Sequence, residues 1–387
     1  MDRRTFLASS AAATAGALFC SPAVAQASRT RWVVRTSEGF DALGFLAPLS
    51  GDPFYAKHYQ AELAEFEPRL KAETKAEIKA LREEVAATDG LMSPAFYLNF
   101  SGGPDATVDD LFDSMKAPEQ KLRPALEASP YWDAEAWPRF VARLPALHRI
   151  LNALQDAGFR QFRNSLVAPQ AGVKLPLLRT KLVGFDVIRW AEFYTGRIFD
   201  PTIEIIFMHF NKPHGIKIIG QRFLTGLAYS DDITVRTAGH EVLHPPVAMD
   251  GPAAKTAMAI FERDPLLQRI LAERNKSYGY GSIEGLFNEG LTQALDHLIG
   301  ERLGIKRDPR KRWRESDGGM HVLAAAFYGL MTRDGFARSG GNLEEWLARK
   351  AAGGAFDPPT LHSAAARVLG YPADQLWRPA VPAPAKA

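Results

Sequence analysis

The chain has 387 residues, enough for one large domain or two ordinary ones. Hydrophobic residues make up 46% and charged residues 24%, and the formal net charge is only +3, a globular composition that gives no case for a nucleic-acid partner. Cys20 is the single cysteine, so no intramolecular disulfide can form and any metal site must be built from His, Asp and Glu.

The N-terminus reads MDRRTFLASSAAATAGALFCSPAVAQA. Arg3-Arg4 precede Thr5-Phe6-Leu7, an Ala/Ser-rich stretch follows, and Ala-x-Ala cleavage choices stand at Ala23-Val24-Ala25 and Ala25-Gln26-Ala27. This resembles a twin-arginine export signal over residues 1–27, which implies a periplasmic or secreted protein that loses Cys20 with the signal. Phe19 stands where a lipidation signal needs a small residue. The apolar stretch is too short and polar to stay as a membrane span, and nothing later is long and apolar enough to be one.

Residues 28–198 read as mostly helical. Residues 32–50 carry a short strand and a turn into a helix, and 54–87 have apolar residues at helical spacing, interrupted by Pro68. Helical patterns recur at 107–115, 134–160 and 184–195. The period then changes. TIEIIFMHF (202–210) and GIKIIGQRF (215–223) are β-branched and apolar, and Asn211-Lys212-Pro213-His214 between them signals a hairpin. Helical spacing returns at 231–244, 252–275, 283–300, 320–332 and 342–352. KRDPRKRWR at 306–314 reads as a solvated loop, and the tail at 378–387 is too Pro/Ala-rich to pack. The pattern predicts an α+β fold: a mostly helical N-terminal region at 28–198, then a small sheet and a helical lobe within 199–377.

The chemistry-bearing stretch is RTAGHEVLHPPVAMDG, residues 236–251. His240-Glu241-Val242-Leu243-His244 is an H-E-x-x-H, in which two histidines four apart project from one helical face and can grip one ion. Asp231 and Asp232 stand where a helix N-terminus favours negative charge. Pro245-Pro246 should end the helix just after the second histidine. A catalytic zinc takes three protein ligands and keeps a position open for water. No third histidine follows at the H-E-x-x-H-x-x-G-x-x-H spacing, whereas Asn288-Glu289-Gly290 lies in an amphipathic stretch downstream.

These motifs resemble the gluzincin metallopeptidases, whose third zinc ligand is a glutamate of an N-E-A or N-E-G sequence on a second helix. The resemblance implies Zn²⁺ held by His240, His244 and Glu289, with Glu284 in reserve for the last, and Glu241 as general base. It also implies a zincin-like region whose edge strand, here GIKIIGQRF, takes up a peptide or protein substrate. Two further motifs are similar to the thermolysin-like branch. Tyr280 stands nine residues before Glu289, and His321 follows the turn Ser316-Asp317-Gly318-Gly319. They imply oxyanion donors, with Asp317 orienting His321, while Tyr328 is placed more as in aminopeptidase-like relatives. The chain departs from the pattern in its inter-motif gaps, in Pro245-Pro246, and in Gln293 where that branch has an aspartate. The motifs cover only 200–330. The activity implied is zinc-dependent peptide hydrolysis; the rival readings are a non-catalytic zinc-binding envelope protein that acts through a partner, and a helical binding module with a chance motif.

Overall fold

The computed structural model describes residues 28–88, 90–275 and 280–378. The export-signal segment and tail residues 379–387 lie outside the described residues. Among those described are twenty α-helices and one four-stranded mixed sheet, in agreement with the α+β expectation. No described helix is long and apolar enough to cross a membrane.

The strands are β1 (Arg31–Thr36), β2 (Thr202–Met208), β3 (Ile216–Ile218) and β4 (Arg222–Gly226), in the order β1-β2-β4-β3. β2 runs parallel to both β1 and β4, and β3 lies antiparallel to β4 at the edge. The expected hairpin between the two apolar stretches is therefore absent. β2 has both edges taken by parallel partners, and the second stretch folds on itself instead, turning at Gly220 with φ 75°. A glycine admits that left-handed turn without steric cost. The run Ile203–Phe207 suits a central strand covered on both faces.

Those two faces divide the core. Val34, Ile203, Ile205, Phe207 and Phe223 pack with the C-terminal helices. Ile206, Met208, Ile218 and Leu224 pack with helices from the long insertion between β1 and β2. The sheet is the middle layer, and the alternation along β2 is the two-residue period of a strand. Six helices position the site: α1 (Glu38–Leu49), α2 (Phe159–Leu182), α3 (Asp231–Glu241), α4 (Ile283–Arg302), α5 (Pro309–Glu315) and α6 (Val322–Arg333). Asp41 of α1, fully buried, accepts from Arg163 of α2 at 2.9 Å and from the His209 and Phe210 N–H groups at 2.8 and 3.0 Å. This cluster ties the insertion to the end of β2. A buried carboxylate survives only with such a full set of donors.

The basic stretch 306–314 is not the solvated loop it was expected to be. Asp308 caps α5 by accepting from the Arg310 N–H at 2.9 Å, Pro309 occupies the first turn, and Trp313 is fully buried. Proline at the first position and an aspartate cap are helix-start chemistry, and the buried indole anchors the turn.

Candidate metal centre

Helix α3 starts where Ser230 caps it and Asp231 and Asp232 occupy its first turn. It stops at Glu241, three residues short of the expected end. Beyond it the bonds tighten to Leu243 N–H to His240 carbonyl (3.1 Å) and His244 N–H to Glu241 carbonyl (3.4 Å). The cause is Pro245-Pro246, which supply no N–H to the carbonyls of the last turn. Side chains donate just beyond the helix end. Lys217 Nζ of β3 donates to the His244 carbonyl and Arg197 Nη1 to the Pro245 carbonyl, each at 2.7 Å. Both are cations at the negative end of a helix.

The early stop does not separate the histidines. His240 Nε2 and His244 Nε2 lie 2.9 Å apart. Glu289, buried on the first half of α4, brings Oε1 to 3.7 Å from His240 Nε2 and Oε2 to 3.5 Å from His244 Nε2. One ligand atom from each residue falls within 4.8 Å of the others, so the three can hold a metal ion, in an HExxH…E-like arrangement. Glu284 sits in the first turn of α4, exposed on the cleft wall and outside this group.

The opposite ring nitrogens are engaged. His240 Nδ1 meets Asp296 Oδ2 at 2.8 Å and His244 Nδ1 meets Asn288 Oδ1 at 3.1 Å. Each therefore donates through Nδ1, which turns both Nε2 lone pairs inward, as metal-ligating histidines require. Burial opposes charge on His240, but Glu289, Asp296 and Glu241 outweigh it and raise that imidazole to about 9. Burial and the charge on His240 push His244 down to about 4. Burial would raise Glu289, yet the two imidazoles hold it below the usual carboxylate value. A positive charge is thus favoured at the point the three ligands share. Two imidazoles and a carboxylate are a donor set that fits a divalent ion such as zinc.

Sequence reasoning missed the residues behind the ligands. The aspartate absent at Gln293 is supplied by Asp296, seven residues after Glu289 and so on the same helical face two turns on. Asp296 pairs with Arg307 and, at 2.5 Å, with Arg312 of α5. Although it is buried, these cations keep it charged well below the ordinary range. Gln293 is used differently: it donates to Glu289 Oε1 at 2.8 Å and accepts from Trp313 at 2.9 Å. An acid seven residues after Glu289, two helical turns on along the same face, was the signal available.

His244 and Glu289 open onto a cleft of ≈ 890 Å³. Lys217 from the edge strand and Tyr131 from the N-terminal region reach its wall, and neither was singled out from sequence. Burial pushes Lys217 down to about 8, against the pull of Glu241. Burial and the Glu241 charge push Tyr131 up to about 12. Among the described residues Glu241 makes no side-chain hydrogen bond or ion pair, and burial raises it to about 7, with the charges of His240 and Lys217 opposing.

Tyr280 lines the same cleft and takes φ 52°, a left-handed conformation that is strained for a non-glycine residue. Burial and the Glu289 carboxylate keep its phenol protonated. His321 lies behind it, 3% exposed, with the rings edge to face at 5.7 Å and Nε2 2.6 Å from Asp317 Oδ2. Tyr328 is elsewhere. Its hydroxyl donates to Glu301 at 2.7 Å, twelve residues and about 18 Å along α4 from Glu289. No family model, curated protein or solved structure matches this chain.

Proposed function

We propose that the protein is a zinc-dependent peptide hydrolase, exported by the twin-arginine segment. The observation that carries this reading is the Glu241 carboxyl, without a side-chain hydrogen bond or ion pair among the described residues, beside a two-histidine, one-glutamate ligand set in an open cleft. A purely structural metal site needs no such group. His240, His244 and Glu289 would hold the ion, and zinc bound there supplies Lewis acidity toward a water and a carbonyl. Glu241 takes the proton of the attacking water and returns it to the leaving amine, work suited to a carboxyl with a raised pKa. Asp296 and Asn288 hold the histidine tautomers. Tyr280 donates to the developing oxyanion, and His321, held by Asp317, supports it from behind. The edge strand β3, paired only with β4, receives the peptide as an added strand.

The test combines metal analysis with turnover. Purified protein should hold about one zinc per chain, lost in His240→Ala and His244→Ala. Glu241→Gln should keep the zinc and lose at least about a hundredfold in hydrolysis of a responsive peptide. Undiminished turnover by Glu241→Gln would overturn the mechanism, and full zinc in either histidine variant would overturn the site.

A further inference from the structure

We propose that the arginine-lined end of the site, beyond His240, is a carboxylate subsite, so that the preferred peptide carries a free C-terminus or an acidic side chain on the leaving-amine side of the scissile bond. This rests on the hydrolase reading above. Glu241 borders two spaces: the ≈ 890 Å³ cleft on the His244 side and a smaller one of ≈ 260 Å³ on the His240 side. The smaller space is walled by Arg236, Arg307 and Arg312, which also border an adjoining depression with Lys311.

Three guanidiniums face the smaller space beside two acids, Asp296 and Glu241. Arg307 and Arg312 share the one carboxylate of Asp296, which also serves His240. Arg307 Nε is buried without a hydrogen-bond partner. Arg236 makes no ion pair among the described residues and donates only to the Asp232 backbone carbonyl, at 3.2 Å. The acids on the rim are engaged or unhelpful: Asp308 caps α5, Asp317 holds His321, and Glu315 at the outer edge pairs with none of these arginines. A guanidinium fork left open beside a reacting centre is matched by a carboxylate.

The edge strand supplies the polarity. The chain runs from Gly215, on the arginine side, to Lys217, on the wall of the large cleft. A peptide added antiparallel to β3 travels the opposite way, from the large cleft to the arginines. Its C-terminal side, which leaves as the amine, meets the guanidinium groups.

The probes are N-acylated peptides ending in a free carboxylate or a carboxamide, and carboxamide peptides with Asp or Asn just after the cleaved bond. Binding is measured on zinc-loaded Glu241→Gln protein, which reads recognition without turnover, and kcat/KM on the wild type. The carboxylate member of a pair should bind at least roughly tenfold more tightly, the lower range for a hydrogen bond to a charged group. Arg236→Gln should bring that ratio towards one with zinc content unchanged. Preference confined to the free acid assigns the subsite to a chain terminus, and preference confined to Asp assigns it to a side chain. Equal binding within both pairs, or a preference untouched by Arg236→Gln, overturns the inference and leaves the hydrolase standing. A preserved preference with no hydrolysis of any probe overturns the hydrolase and leaves the subsite.

Discussion

Asp296 accepts from His240 while two guanidiniums hold it in place, so its effect on the metal is indirect. Asp296→Asn preserves the size of the side chain and removes the charge that keeps His240 basic. Zinc affinity should fall about 10- to 100-fold, as for other partners of ligating histidines. Competition with a chelator measures it, and Glu284→Gln in the same assay should change nothing. Tyr280 and Tyr328 separate in turnover. Loss of one oxyanion donor costs about 2.7–4 kcal/mol, so Tyr280→Phe should lower kcat roughly a hundred- to a thousandfold with zinc retained. Tyr328→Phe, at the far end of α4, should leave kcat near wild type. A large loss in Tyr328→Phe with Tyr280→Phe unaffected would reverse the assignment.

Helices α4 and α6 cross directly behind the glutamate ligand. A Cβ at Gly290 would lie 2.9 Å from Leu323 Cβ and 3.3 Å from the Ala324 nitrogen, so the glycine after Glu289 is the contact that lets α6 approach. Gly290→Ala must push α6 away, and overpacking of this kind costs about 1–3 kcal/mol. Urea unfolding should show a lower midpoint with an unchanged slope. An unshifted midpoint would mean that α6 has room to move. The short end of α3 is a second property of elements rather than residues. Two prolines terminate the helix, and two side chains from outside it donate to the His244 and Pro245 carbonyls just beyond its end.

Across the whole molecule, the helical insertion meets the segment before β3 where Tyr55 and His214 Nε2 lie 2.9 Å apart. Burial pushes His214 down to about 4, against about 6.5 for an exposed imidazole. Between these values the unfolded chain takes up a proton that the folded protein refuses. Stability present above pH 6.5 is therefore lost progressively as pH falls towards 4. The loss is on the order of 1–3 kcal/mol, and His214→Gln should flatten that part of the wild-type stability curve. A variant whose stability falls as steeply as wild type over this range would place the acid sensitivity in other groups.

The α+β class and the three residues that can hold an ion were legible in the sequence. Each depends on spacing or turn chemistry within a few residues of chain. His240 and His244 are four apart, and Glu289 stands in a short motif of its own. Tertiary structure decided the rest. The pairing of β3 with β4 followed from β1 and β4 having taken both edges of β2. The turning of Arg307 and Arg312 inward needed a buried Asp296 to receive them, which made a helix of what composition marked as a solvated loop. Lys217 and Tyr131 reach the cleft from elements far away in sequence, and His321 came to rest behind Tyr280. Such contacts depend on how helices cross and which strand edges remain free, and local propensity carries no record of either.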